Sequence, residues 1–215
     1  MPLAIKNSLY KTQINIEIDF SGLFITIETQ RLLIRSYENE DFNDCISLYG
    51  DEKITKFFDH GKPRNGEEVK KIIDKKGRKY FLAGKPFGLF SIFLKDSMSF
   101  IGQIDLVPTK HLGIAEVGFI LNEQFHNQGL GTEALKAILT EYIDEINQNK
   151  SLKCIELPIY KIIATAHPQN IASNKLLLKI GMNLDKIQKR FGQPRFWYSY
   201  SPASLEIKNL KIGLK

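Results

Sequence analysis

Two glycines stand one residue apart in the run from Phe125 to Ile143, FHNQGLGTEALKAILTEYI. Gly129 and Gly131 open a stretch whose apolar residues otherwise recur at helical spacing. Glycine inside a helix costs roughly 1 kcal/mol against alanine, so a pair at a helix start asks for a reason. The first four N–H groups of a helix have no partner within it, and the helix dipole presents positive potential there. Phosphates bind such ends readily. Without a Cβ, glycine also lets the backbone approach an anion closely. The run from Asn127 to Thr132 thus has the chemistry of a pyrophosphate cradle. An ordinary turn into a helix would use the same residues, and the spacing alone leaves both open. Two other phosphate loops are excluded. No Gly-Lys-Ser/Thr follows, and the third glycine and acidic strand end of a dinucleotide fingerprint are missing.

The elements that must position this run follow from the alternation of apolar residues. QINIEIDF places Ile14, Ile16, Ile18 and Phe20 on one strand face, and LFITIE follows a short turn, which predicts a hairpin. Thr29 to Tyr37 continues or repeats the strand. Glu38 to Gly50 reads as helix, with Asp41 and Asp44 toward water and Phe42, Cys45, Ile46 and Tyr49 inward. Asp51 to Phe58 adds a turn, and Asn65 can cap a helix over Gly66 to Lys76. PFGLFSIFLKD, MSFIGQIDLVP and GIAEVGFILN predict an antiparallel meander. The glycine-led helix runs to about Ile146, YKIIATA is a short interior strand, and Asn170 to Lys179 is a helix closed by Gly181. LDKIQKRFG and PRFWYSYS predict a last hairpin, turning around Gly192-Gln193-Pro194. A helix between the meander and YKIIATA makes part of the sheet parallel. The class is α/β with a mixed sheet.

Composition narrows the setting. The 215 residues are 43% hydrophobic and 25% charged, an ordinary globular balance. No apolar run approaches the roughly 18 residues of a membrane helix, and MPLAIKNSLYK lacks the apolar core of a signal peptide. A cytoplasmic protein with reduced Cys45 and Cys154 is expected. Four histidines and two cysteines show no metal-ligand spacing, so no metal is expected. The net charge of +6 is uneven: residues 150–215 carry twelve Lys/Arg against three Asp/Glu. That surplus suits an anionic ligand or is a solvated basic face. Nothing in it matches a nucleic-acid recognition motif.

With these elements in place, EVGFILNEQFHNQGLGTEAL resembles the signature of the GNAT acyltransferase superfamily, Arg/Gln-x-x-Gly-x-Gly/Ala between the fourth strand and third helix. It looks most like the branch that includes the N-terminal acetyltransferases of ribosomal proteins. Glu116-Val117-Gly118-Phe119 and Gly129, Gly131, Thr132, Glu133 and Ala134 carry that likeness. TQRLLIRSYENEDF, Thr29 to Phe42, resembles the branch's opening Thr-x-Arg-Leu-x-Leu-Arg strand, and AHPQNIASNKLLLKIGM, Ala166 to Met182, its Asn-x-x-Ser segment. The resemblance implies one domain over 1–215, with a core at about 28–201, an extension strand to residue 22 and a tail from 202. It implies a GNAT-like mixed, mostly antiparallel sheet flanked by helices, with an extra N-terminal β-hairpin. That extension either lengthens the sheet or pairs with another subunit, so a homodimer is possible.

The resemblance further implies an N-acetyltransferase using acetyl-CoA and no metal. The acceptor is an amine, a protein N-terminus or a small molecule, with no nucleic acid or membrane partner. Backbone N–H groups of Asn127, Gln128, Gly129, Leu130, Gly131 and Thr132 would hold the pyrophosphate. Phe119, Ile120 and Leu121 would pair with the pantetheine arm, and Asn170, Ser173 and Asn174 would line the other side. Lys175 or Lys179 could meet the ribose phosphate, or simply be solvated. Glu116 is the expected base and Asp105 the reserve. A backbone N–H near Leu121 would face the developing oxyanion. His126 stands where the family has Arg/Gln, and Leu177 where many members have a tyrosine acid, which leaves water, Tyr198, Tyr200 or no acid at all, since a CoA thiolate is a tolerable leaving group. Without that tyrosine, a non-catalytic CoA-binding sensor or scaffold is the alternative. An acidic acceptor groove would favour polycationic acceptors; the first helices offer an acidic cluster, Glu38, Glu40, Asp41, Asp44, Asp51 and Glu52, which is more simply read as a solvated helix face.

Overall fold

A computed structural model describes residues 11–20, 22–149, 152 and 157–202. Cys154 and the tail after Pro202 lie outside the described residues, as does the chain up to residue 10. Nine strands form one sheet in the order β1-β2-β3-β4-β5-β6-β7-β9-β8. Every neighbouring pair is antiparallel except β6 and β7, which are parallel. The expected mixed, mostly antiparallel sheet is therefore present.

β1 (Gln13–Asp19) and β2 (Gly22–Glu28) form the expected hairpin, and β1 extends the sheet as its edge. Its apolar face is only half covered. Ile14 and Ile16 pack on the core, whereas Ile18 is 57% exposed and Phe20 is fully exposed. The chain then turns over Thr29–Arg31, where the Thr29 N–H donates to the Leu32 carbonyl, and returns as β3 (Leu32–Ser36).

α1 (Phe42–Gly50) buries Cys45, Leu48 and Tyr49, as its periodicity predicts. Asp41, just ahead of it, does not face water. It is 3% exposed, because Arg35 grips both its oxygens at 2.7 and 2.9 Å and the Ser91 hydroxyl donates to it at 2.7 Å. Asp51 caps the single turn α2 (Glu52–Thr55). Asn65 and Glu68 form a reciprocal capping box on α3 (Gly66–Lys76). A short α4 (Lys79–Leu82), absent from the sequence reading, follows.

β4 (Gly88–Leu94), β5 (Phe100–Pro108) and β6 (Ile114–Leu121) are the meander. α5 (Leu130–Lys136), a wider π-helical stretch (Ala137–Tyr142) and α6 (Ile143–Gln148) continue one into the next. β7 (Lys161–Ala166), α7 (Ile171–Lys179), β8 (Asn183–Arg190) and β9 (Gln193–Tyr200) complete the chain. The last hairpin turns on Phe191-Gly192, both with positive φ, rather than on Gly192-Gln193-Pro194. Two positive φ values make the turn that matches strand twist.

Alternation sorts side chains to two sides. Val117 and Leu121 of β6 join a core with Leu130, Leu135 and Tyr142 of the glycine-led helical run and Leu177 of α7. Ile120 joins a second core with Cys45 and Leu48 of α1 and Val69 and Ile73 of α3. Glu116 and Gly118 share the parity of Ile120, so they face the α1–α3 side.

Candidate active site

The two parallel strands part company at one point. β6 and β7 pair over Ile114–Lys161, Ala115–Ile162 and Glu116–Ile163 only. Beyond it, Val117 to Leu121 are held by β5 and Ala164 to Ala166 by β9. The sheet therefore opens into a wedge, bordered by backbone, with Glu116 at its vertex. Phe119, Ile120 and Leu121 lie along one border.

The loop leaving β6 leads to the glycine-led helix. His126 Nε2 lies 2.9 Å from the Leu121 carbonyl, so this imidazole ties the loop to the strand end. Asn127 and Gly129 have positive φ, 59° and 77°. The two glycines serve different needs. A Cβ at Gly129 would meet only Arg31 Nη2, at 3.5 Å, so its backbone conformation is what favours glycine. A Cβ at Gly131 would press on Leu121 Cδ1 and Leu176 Cδ1, both at 3.0 Å, so there glycine permits close packing of helix, strand and α7.

A clamp that the sequence did not announce secures the loop. Glu133, in the first turn of α5, accepts from the Thr29 hydroxyl at 2.6 Å, the Arg31 N–H at 2.9 Å and Arg31 Nε at 2.7 Å. Arg31 Nη1 also donates to the Gln128 carbonyl at 2.9 Å. Burial would raise the Glu133 carboxyl, but the bonds from Thr29 and Arg31 outweigh it and hold the group below its ordinary value. TQR and GTEA were both visible as runs, yet neither says that it meets the other.

On α7, Asn170 caps the helix by accepting from the Ser173 N–H at 3.1 Å. Asn174 is buried, donates to the His167 and Pro168 carbonyls, and accepts from the Tyr198 hydroxyl at 2.9 Å. Three of the expected cofactor residues thus meet at one helix start, and two of them hold the protein together there. Lys175 and Lys179 are exposed. Leu177 is fully buried in the core. Burial raises the Tyr198 phenol, and burial with Asp144 nearby raises Tyr200, so both keep their protons at neutral pH.

On the α1–α3 side, Arg190 holds Glu116 with both guanidinium arms, at 2.6 and 3.2 Å. Arg190 itself lies 4.9 Å from the Phe191 ring centroid and 5.4 Å from that of Trp197. Asp105 lies on this same side, over Gly118. Its side chain is 8% exposed and takes a 2.8 Å bond from Lys76. A Cβ at Gly118 would collide with its Oδ1, so the glycine of EVGF makes room for this carboxylate. Burial would lower the Lys76 amine, but Asp105 raises it above its ordinary value. The supposed acidic groove does not form as read, since Asp41 is neutralised by Arg35 and Asp51 is spent on capping α2.

A strap crosses from the α2–α3 connection to the last hairpin. Arg195, 3% exposed, donates to the carbonyls of Phe57 and Asp59. Phe57 stacks on His167 at 5.2 Å, and His60 meets Phe191 edge-on at 5.2 Å. Among the described residues no three His, Cys, Asp or Glu gather as a metal would need, and no helix is long and apolar enough to cross a membrane.

Comparison with known proteins gives the class. Residues 31–183, well over half of the chain, match the family described as Acetyltransferase (GNAT) domain. The protein is an acetyltransferase of mixed α/β fold. The chain belongs to the GNAT family. It is 30% identical to an uncharacterized N-acetyltransferase, YnaD, of Bacillus subtilis over 184 residues, 84% of this chain and 96% of that one. Among solved structures it resembles RimL, a ribosomal L7/L12 alpha-N-protein acetyltransferase in complex with coenzyme A (TM-score 0.64, 16% identity, 88% and 99% of the chains). It also resembles a spermidine N-acetyltransferase from Vibrio cholerae in complex with CoA and spermine (TM-score 0.61, 14% identity, 82% and 98%).

Proposed function

We propose that the protein moves the acetyl group of acetyl-CoA directly to a primary amine, with no covalent enzyme intermediate. The observation that carries this reading is the parting of β6 and β7 immediately after Glu116 and Ile163. It offers a backbone-bordered slot for an extended arm, ending at a carboxylate. Structures of this fold named for a ribosomal-protein amine and for spermidine support transfer to a primary amine.

Bound acetyl-CoA would supply an acetyl group on a thiol leaving group. The N–H groups of Asn127 to Thr132 would hold its pyrophosphate, at a loop kept in shape by Arg31, Glu133 and His126. Phe119 to Leu121 would border the pantetheine arm, and Asn170, Ser173 and Asn174 would form the far wall. A free α-amine has a pKa near 8 and a lysine amine one near 10.4, so the acceptor arrives mostly protonated. Arg190 takes one lone pair on each Glu116 oxygen and leaves others for the ammonium or a water. Glu116 then passes the amine proton to water. The freed nitrogen pair attacks the carbonyl carbon, the C–S bond breaks with its electron pair leaving on sulfur, and the extra nitrogen proton passes through water to the departing thiolate. A backbone N–H near Leu121 would meet the charge developing on oxygen. Asp105, over Gly118 on the same face as Glu116 and bound to Lys76, adds to the local charge there.

Thiol release with purified protein, acetyl-CoA and a panel of amines and peptides tests the reaction. Glu116→Gln should slow turnover about 10²-fold while calorimetry shows unchanged acetyl-CoA affinity. Undiminished turnover would remove Glu116 as proton carrier.

A further inference from the structure

Around Glu116 and the last hairpin, on the α1–α3 side of the sheet, the charges do not balance. Four carboxylates there each have their own cation: Asp59 with Arg64 at 2.7 Å, Asp105 with Lys76 at 2.8 Å, Glu116 with Arg190 at 2.6 Å, and Asp185 with Lys161 at 3.3 Å. Two more cations occupy the same side. Arg195 is satisfied by backbone carbonyls, and Lys186 lies 5.3 Å from the Trp197 centroid. Neither has a carboxylate in ion-pair reach among the described residues. The register puts both where they count. Lys186 pairs with Trp197 and Gln188 with Arg195, so Lys186, Trp197 and Arg195 share the face that carries Arg190.

Unused hydrogen-bond groups lean the same way. The Nε of Arg64, the Nε of Arg195 and the Nε1 of Trp197 are buried without an acceptor among the described residues. These three are donors, and the fourth such group, the Oε1 of Gln103 beside Cys45, is an acceptor. Around Glu116 and the last hairpin the side is thus rich in cations and N–H groups, and the carboxylates there are paired. Neighbouring cations also act on each other: burial lowers the Arg195 guanidinium, Asp59 partly opposes it and Arg190 adds to it, while burial and then Arg195 push down His167.

We propose that the acceptor is a small primary amine that also carries an anionic group, a carboxylate or a phosphate. This rests on the acetyl-transfer reading above and names its substrate class. The amine lies at Glu116 and the anion against Lys186 and the outer face of Arg190, with the Trp197 ring between those two cations. The Phe57–His60 strap, docked on the hairpin through Arg195, Phe191 and His167, bounds the side and favours a small molecule over a polypeptide. The carboxylates beside the hairpin each already hold a cation, which disfavours a polycation at this spot.

The test compares matched pairs: an α-amino acid with its amide, and an amino-sugar phosphate with the parent amino sugar. A polyamine and a short acidic peptide complete the panel. The anionic member of at least one pair should show kcat/KM about tenfold higher or more, and its advantage should fall with added salt. Which pair responds identifies carboxylate or phosphate. Lys186→Glu should raise KM for the favoured anionic amine about fivefold, with kcat little changed, and leave the melting temperature in place. Equal use of both members, or preference for the polyamine or the peptide, would overturn the proposal. Calorimetry of the same pairs with CoA-loaded protein keeps the two readings apart. Anion-selective binding without any acetyl transfer sinks the transfer reading and keeps the ligand class. Acetyl transfer without anion preference sinks the ligand class and keeps the reaction.

Discussion

Glu133→Gln is the substitution that asks most of the clamp between the first strand run and the glycine loop. It keeps the size of the side chain and removes its charge. Glu133 accepts three hydrogen bonds, at 2.6, 2.9 and 2.7 Å, and a salt bridge from Arg31 Nη2 at 2.6 Å. Hydrogen bonds to a charged group contribute roughly 1.5–3 kcal/mol each, but these share one carboxylate and Gln retains a carbonyl acceptor. The Arg31 side chain is 45% exposed, and solvent screens its half of the interaction. A loss of about 2 kcal/mol is therefore expected rather than the sum. For a chain of this size that is about 4–8 °C in melting temperature. The pH dependence gives the sharper check. The folded carboxyl lies below its unfolded value, so its stabilisation is complete above the unfolded value, near 4.5, and drains away as pH falls through the folded one. The deficit of Glu133→Gln against the parent should be full at pH 7 and shrink below about pH 4.5. Scanning calorimetry at pH 7, 5 and 4 reads it, alongside acetyl-CoA affinity at pH 7, which should weaken as the Gln128 carbonyl loses its tether. A deficit below 1 °C at pH 7, or one that stays constant with pH, would refute the clamp.

Two glycines give contrasting expectations. Gly129 has open space around its Cβ position but a φ of 77°, so Gly129→Val should cost about 1–2 kcal/mol and Gly129→Asn much less; equal melting temperatures for the two would contradict a conformational cause. Gly118→Ala should cost about 1–3 kcal/mol by driving a methyl into the Asp105 carboxylate. Adding Asp105→Ala, which removes the group it strikes, should cost less than the two single losses added together, and simple additivity in denaturant titrations would count against that contact.

What could be read from the sequence was what is local. Asn65 and Glu68 announce a helix start because both halves of the cap lie within four residues, and the structure forms that cap. Alternation told which residues of β1 share a face, but not how far the cover reaches, and so it placed Ile18 and Phe20 with Ile14 and Ile16. Helical spacing put Asp41 on the polar side of α1. The ion pair that buries it comes from Arg35, on a neighbouring strand. α4 is a single turn, too short for any period to show. Arg190, which holds Glu116, lies 74 residues away in a basic stretch where no spacing distinguishes it from its neighbours.

The long-range contacts give a physical reason for the runs through which the family was recognised. Each motif supplies one half of a joint. Thr29 and Arg31 serve the Glu133 of GTEA, and Arg31 also serves the loop before it. Gly118 of EVGF exists for Asp105, a residue outside the motif, and Gly131 for the side chains of Leu121 and Leu176. Asn170 caps the helix from which Asn174 reaches Tyr198. None of these joints requires a particular acceptor, and all of them shape the loop or the wedge. The residues of the proposed acceptor site, Lys186, Arg190, Arg195 and Trp197, come from the last hairpin, of which the quoted motifs contain nothing. On the proposed reading, donor binding therefore rests on the quoted runs and acceptor choice on the last hairpin.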